Sequence, residues 1–378
     1  MTPAPTGLPP RRVMVAMSGG VDSSVAAALL VAAGHDVVGV TLRLWGGDSD
    51  SGCCSVADVD DARRVAQQLD IDHHVFNMSD EFTTHVVGPY VADHAAGRTP
   101  NPCIECNRHL KFDRLLHRAR ALGFDSVATG HHARVVTDAD GVRRIARGAD
   151  AAKDQSYVLY MLDAEALAMI ELPVGDMTKD RVRVMAADLG LRTADKPDSQ
   201  DVCFITSTEG RRGFLETRVE LHPGRLVDTD GNEVGEVDAV ELVTVGQRRG
   251  LGMSGTGDHR FAVAVDITTR TVTVGSRDQM LTDTTVCHRV TWSGAAVHGE
   301  VLAQASAHGD PLAATVTPVA PVAASTDSHG NGDVDSHDDG DGDSTIEVRW
   351  HQPVRRIAAG QSVVFYRNDM VLGGGVVV

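Results

Sequence analysis

The run Val13-Met14-Val15-Ala16-Met17, followed by Ser18-Gly19-Gly20-Val21-Asp22-Ser23-Ser24 and then an Ala- and Leu-rich stretch from Val25 to Ala33, constrains the fold more than any other part of this chain. A short, unbroken apolar run reads as a strand buried on both faces, as in a parallel sheet. The stretch behind it is a helix closed by Gly34. Between them, Gly19 and Gly20 let backbone N–H groups turn inward around an anion. The helix N-terminus adds partial positive charge there, and Ser18 and Ser23 can donate hydroxyls. Asp22 repels phosphate and would have to act through Mg²⁺. No lysine closes the loop as in a Walker A sequence, and the spacing is not that of a dinucleotide fingerprint. A lone Ser-Gly-Gly reads equally well as a capped turn. The longer string, set between a strand and a helix, points to phosphate.

The same alternation continues. Strands are expected at Val37–Leu44, His73–Phe76 and Ser126–Thr129, the last running into Gly130-His131-His132. Helices are expected at Ala57–Leu69, Leu110–Leu122 and Lys179–Gly190. Strands and helices joined by short connections make an open α/β sheet with right-handed crossovers. From about residue 220 Val and Thr dominate, and an Asp230-Gly231 turn separates β-rich runs. A chain of 378 residues exceeds one compact core. We divide it into a short disordered lead (1–10), an α/β domain (11–218), a small central β-rich domain (219–282) and a C-terminal β-barrel (283–378). Residues 325–343, with seven Asp and no Lys or Arg, form an acidic insert in the barrel. The net charge of −17 argues against nucleic-acid binding by bulk charge and leaves room for a local basic face. No apolar run is long enough to span a membrane and the lead does not read as a signal peptide, so a cytoplasmic protein is expected.

Six cysteines in a large chain without an export signal suggest thiol chemistry or metal binding before a disulfide framework. Cys106 follows the Pro-broken stretch Arg98-Thr99-Pro100-Asn101-Pro102-Cys103 and is expected near the start of the helix at 110, where the dipole, Arg108 and Lys111 favour thiolate. Cys203, in Asp198-Ser199-Gln200-Asp201-Val202-Cys203-Phe204, reads as a partly shielded thiol in a loop. One such cysteine can carry a persulfide and the other resolve it. Cys287, inside a Val/Thr-rich strand, reads as a small buried residue, and Cys53-Cys54 is open.

The loop resembles that of the ATP pyrophosphatase (PP-loop) superfamily. The whole chain is similar to the tRNA-specific 2-thiouridylase family at Ser18–Ser23, Thr99-Pro100-Asn101-Pro102 with Cys106-Asn107, Ala128-Thr129-Gly130-His131, Lys153-Asp154-Gln155-Ser156-Tyr157, Asp198-Ser199 with Cys203-Phe204-Ile205, Gly246–Gly252 and Gly360-Gln361-Ser362. The resemblance implies an adenine-nucleotide alpha-hydrolase-like catalytic domain with a parallel sheet, a small central domain and a C-terminal β-barrel. It implies ATP contacts from Ala16, Met17, Ser18, Gly19, Gly20, Val21, Asp22, Ser23, Leu42 and Gly130. Asn101, Pro102 and Cys103 would lie against the target base, and His131, Lys153, Asp154, Gln155 and Gln361 would touch tRNA. Cys106 would be the nucleophile and Cys203 the persulfide carrier, with a Cys106–Cys203 disulfide in one state. A sulfur-relay protein would be a partner, and uracil O2 would be adenylated before sulfur attacks C2.

Two departures stand out. The family pattern has Asp where this chain has Cys103, so Cys103-Ile104-Glu105-Cys106 is a Cys-x-x-Cys. With Cys203, and with Cys53 or Cys54 as a further ligand, it offers three or four thiolates for an iron–sulfur cluster; alternatively Cys103 is a spare thiol beside the nucleophile. The family's barrel arginines are missing from Gln304-Ala305-Ser306-Ala307-His308, and no Lys or Arg occurs between Arg289 and Arg349. Rival readings are another PP-loop ligase, which needs no paired cysteines, and a protein that binds ATP and tRNA without releasing pyrophosphate.

Overall fold

The computed structural model describes residues 9–44, 55–198, 202–205, 210–251, 260–319 and 344–378. Most of the lead, Cys53 and Cys54, Ser199 to Asp201 and the acidic insert lie outside the described residues.

The chain opens β1 (Arg12–Ala16), α1 (Val21–Ala32), β2 (Asp36–Arg43), α2 (Val56–Gln68) and β3 (Asp72–Asn77). Two long helical runs follow, α3 (79–95) and α4 (102–121), then β4 (Ser126–Thr129) and a hairpin of β5 (Ala133–Thr137) and β6 (Arg143–Arg147). Next come α5 (Ala164–Met169), β7 (Ile170–Glu171), α6 (Lys179–Asp188) and α7 (Gly210–Glu216). Five strands make a parallel sheet in the order β3-β2-β1-β4-β7. The chain moves outward from β1 to β3, then returns to the other side of β1 as β4. That reversal opens a crevice at the carboxyl ends of β1 and β4, where ligands of such sheets bind. Both faces are covered, which is why β1 is apolar at successive positions. Met14 packs with Phe82, Leu110 and Leu115 on one side. Val13 and Val15 pack with Val25 and Val182 on the other.

Two helical elements depart from expectation. α4 starts at Pro102, not Leu110. The Asn101 side chain accepts a hydrogen bond from the Cys103 N–H at 3.1 Å and Pro102 takes the first helical position, so the stretch read as a broken loop is a helix start. Cys106 is therefore in a helix and not in a loop. α3 was not expected. Its middle widens into a π-turn at Thr83–Val87, with the Gly88 N–H donating to the Thr83 carbonyl, and this accommodates Gly88-Pro89 in mid-run.

Strands β8 (Gly224–Val227), β9 (Glu233–Val237), β10 (Phe261–Asp266) and β11 (Thr271–Gly275) form a small separate sheet with its own apolar cluster. The remaining strands are β12 (Leu281–Trp292), β13 (Gly299–Gln304), β14 (Leu312–Val319), β15 (Thr345–Arg355), β16 (Ser362–Arg367) and β17 (Met370–Val377). They close on themselves as a six-stranded antiparallel barrel, since β12 pairs with β17 as well as β15. β17 also pairs with β6, so the β5–β6 hairpin, far earlier in sequence, extends the barrel's sheet.

The seam between barrel and α/β domain is polar and hydrogen-bonded. The Tyr157 hydroxyl donates to the Ser362 carbonyl at 2.8 Å, Tyr160 meets the Ser362 hydroxyl at 3.2 Å, and Ser156 meets the Tyr366 hydroxyl at 3.1 Å. The Arg147 guanidinium lies 4.0 Å from the centre of the Tyr366 ring.

His94, on α3, is buried with its ring edge against Tyr90 at 4.6 Å between centroids. Burial, helped by the charge of Arg211, pushes its pKa from 6.5 down to about 4. The unfolded chain binds this proton below pH 6.5, and the folded chain only near 4. The contribution is therefore complete above pH 6.5 and is lost as pH falls toward 4. Replacing His94 by Phe should flatten the loss of urea stability between pH 6.5 and 4, by at most about 3 kcal/mol; an unchanged slope would show that other groups set it.

Candidate nucleotide and thiol site

Two close backbone approaches build the loop at the end of β1. Gly19 has φ +72°, and a Cβ there would fall 2.2 Å from the Asp58 carbonyl oxygen. Gly130, at the end of β4, leaves no room for a Cβ, which would lie 2.5 Å from the Ser23 nitrogen. The loop is thus held between α2 and the turn after β4. Ser23 Oγ accepts from the Ser18 N–H at 3.2 Å, and the two serine hydroxyls are 3.3 Å apart. Gly20 caps α1 with no side-chain hydrogen bond, so its first N–H groups face the crevice with the helix's positive end. Met17 and Leu42 are buried and Ala16 is half-buried, so their contribution to this crevice is through main chain and shape.

The loop carries no lysine, yet a lysine serves it. Lys179, the first residue of α6, is 7% exposed, and its amine donates to both Asp22 oxygens at 2.8 and 2.7 Å. The same amine lies 2.9 Å from Asp198. His132 Nε2 is 2.9 Å from Asp22. Burial pushes the Asp22 carboxyl pKa up, but the hydrogen bonds from His132 and Lys179 outweigh it and hold the group ionised below its ordinary range. Asp198 is likewise depressed: burial opposes, and Lys153 and Lys179 prevail. Sequence reading missed Lys179, because 157 positions separate it from Asp22 and only folding brings them together. Mg²⁺ takes one or two carboxylates together with phosphate oxygens, so Asp22 fits that ion in kind. In this structure the Lys179 amine stands between Asp22 and Asp198.

Cys106 is buried and Cys203 half-buried, and both pack in the same apolar cluster with Tyr90, Phe204 and Phe214. Val202, just before Cys203, has φ +48°, where a β-branched side chain is strained by about 1–3 kcal/mol. Cys103 is exposed. Among the described residues no three or more His, Cys, Asp or Glu side chains are grouped to hold a metal. The iron–sulfur reading of Cys103, Cys106 and Cys203 finds no such group among the described residues, and Cys53 and Cys54 lie outside them. A cavity of about 150 Å³ adjoins this region, lined by Asn101, Pro102, Glu105, His85, His109 and Arg289.

The side chains that resemblance assigns to tRNA mostly have internal partners. His131 is buried, bonded through Nδ1 to Thr129 at 2.7 Å, and burial, with nearby Lys111, holds it neutral well below the usual histidine range. Asp154 accepts from Ser156 Oγ at 2.8 Å and Arg147 at 2.9 Å. Gln155 accepts from the His132 N–H at 2.8 Å. Gln361 donates to the Thr99 carbonyl, tying the barrel to the stretch that leads into Asn101. Lys153 is more open, paired with Asp198 at 2.7 Å. In the barrel, Gln304 is buried and bonds Arg147.

Comparison with known proteins bears on this arrangement. A profile described as a tRNA methyl transferase HUP domain matches residues 11–207, a tRNA methyl transferase PRC-barrel domain matches 212–276, and an aminomethyltransferase beta-barrel domain matches 328–377. The tRNA-specific 2-thiouridylase MnmA of Roseiflexus castenholzii is 44% identical over 387 residues, covering 96% of this chain and 98% of that protein. The chain belongs to the tRNA-specific 2-thiouridylase family. The member from Beutenbergia cavernae is also 44% identical, covering 96% of this chain and 93% of that one. Among solved structures, a 4-thiouridine synthetase–RNA complex with bound ATP aligns with TM-score 0.35 and 16% identity, over 51% of this chain and 45% of that one. A thiouridylase of this family joins a PP-loop domain to a PRC-barrel-like domain and a barrel, which is the architecture seen.

Gly130→Ala should place a methyl group against the Ser23 backbone and displace the loop, at about 1–3 kcal/mol. Titration with ATP should show binding weakened roughly ten-fold or more with the circular dichroism spectrum unchanged. Wild-type affinity in this variant would show that the loop does not depend on the contact.

Proposed function

We propose that this chain is an ATP-dependent tRNA-uridine 2-sulfurtransferase of the cytoplasm, which puts sulfur on the wobble uridine. The observation that carries the reading is the pair of thiols, Cys106 and Cys203, packed in one cluster of a PP-loop protein of thiouridylase family.

Carbonyl O2 of uracil is a poor leaving group. Attack by O2 on the α-phosphorus of ATP would release pyrophosphate and leave AMP on O2. Ser18, Ser23 and the N–H groups opening α1 hold the phosphates, with Gly130 closing the other wall. Mg²⁺, when bound, would neutralise phosphate charge at Asp22. The target base sits against Asn101, Pro102 and Cys103, at the mouth of the cavity that Asn101 and Pro102 help to line. A sulfur-relay protein passes its terminal persulfide sulfur to the Cys203 thiol. That sulfur attacks C2 and AMP departs; the Cys106 thiolate then attacks Cys203 Sγ, cleaving the S–S bond and leaving sulfur on C2. The Cys106–Cys203 disulfide formed is reset by an external dithiol. Lys153 contacts tRNA directly, whereas His131, Asp154, Gln155 and Gln361 shape the surface from within.

tRNA incubated anaerobically with the protein, ATP, Mg²⁺ and a persulfide donor, then digested and read by mass spectrometry, should contain 2-thiouridine. The signal should fall at least about a hundred-fold in Cys106→Ser and in Cys203→Ser. Pyrophosphate release with an intact Cys106→Ser activity would favour a PP-loop ligase acting on another substrate.

A further inference from the structure

The ammonium group of Lys179 is buried at the crevice, and it is shared. It takes both oxygens of Asp22 and one of Asp198. Asp198 holds two further cations, Lys153 at 2.7 Å and Arg183 at 2.8 Å, and Asp22 holds His132 at 2.9 Å. A buried lysine must keep a partner, since losing the only one costs several kcal/mol. Here either carboxylate can let go and leave no orphan. Asp198 would retain Lys153 and Arg183, and Lys179 would retain Asp22. Phosphates reaching Ser18, Ser23 and the uncapped start of α1 would arrive beside Asp22, and hence within reach of this amine. Their charge repels Asp198 and attracts Lys179, so the exchange of one anionic partner for another runs downhill.

We propose that Lys179 is the phosphate-binding cation of this loop, supplied from α6 in place of the lysine that a Walker-type loop carries itself, and that Asp198 occupies its amine until a triphosphate displaces the carboxylate. The proposal rests on reading the loop as an ATP site. It gives Asp198 a role as an internal stand-in for phosphate, which sets how tightly nucleotide binds.

Equilibrium titration of the full chain with ATP and, separately, with adenosine tests this. Lys179→Met should bind ATP about 10- to 100-fold more weakly and adenosine within about two-fold of wild type, because only the phosphates lose a charged partner. Lys179→Arg should recover most of the ATP affinity. Asp198→Asn should bind ATP several-fold more tightly, and this variant decides the matter if Lys179→Met fails to fold. Equal losses for ATP and adenosine in Lys179→Met, or no loss for either, would overturn the phosphate role. Unchanged or weaker ATP binding in Asp198→Asn would overturn the stand-in. Wild-type protein that binds neither ligand would sink the ATP reading itself, a result distinct from both.

Discussion

Everything at the crevice depends on main chain touching main chain. The turn after β4 meets the loop at Gly130, and α2 meets it at Gly19; at each place a methyl group would lie within 2.5 Å of a backbone atom. With no side chains between them, the loop's shape is fixed by the spacing of β1, β4 and α2 and not by rotamers. The sheet order that puts β4 next to β1 is thus a condition of the site. The buried charge of Lys179 follows from the same closeness, because α6 packs on α1 and brings the amine to Asp22.

The barrel completes the thiol region from the other side. The Thr99 N–H donates to the Ala359 carbonyl at 2.7 Å, and Arg289 reaches Glu105 at 3.6 Å. These contacts fix the entry to α4, and with it Asn101, Cys103 and Cys106. Positive charge is distributed accordingly. No Lys or Arg lies between Arg289 and Arg349, whereas α4 alone carries Arg108, Lys111, Arg114, Arg118 and Arg120. A chain of strongly negative net charge can therefore present a local basic helix beside its chemistry.

The parallel sheet, the loop and the change to β structure after about 220 were readable because each has a local signal: an apolar run, paired glycines, Val/Thr enrichment. α4 was misread at its start, although Asn101-Pro102 is a local signal too; prolines suggested a break when they marked a first turn. α3 carried Gly88-Pro89 in mid-run and survives through a π-turn that no periodicity announces. Lys179 and the internal partners of Asp154, Gln155 and Gln361 depend on contacts across the fold, and a polar residue in a sequence motif does not say whether it faces solvent or the interior. The thiols were legible as residues, but their shared apolar cluster was not.

The pairing of β6 with β17 also bears on the order in which the molecule can be made. Arg134, on the hairpin, is bonded to Asp369, 235 positions later. During synthesis the α/β sheet has its five strands long before β17 leaves the ribosome, but the hairpin's outer edge and the hydroxyls of Tyr157 and Tyr160 must wait for the last strands to reach them. For that interval the nascent chain carries an unpaired strand edge, of the kind that invites association with other chains. The final eighth of the sequence thus acts as a closing clasp on an element made in the first half.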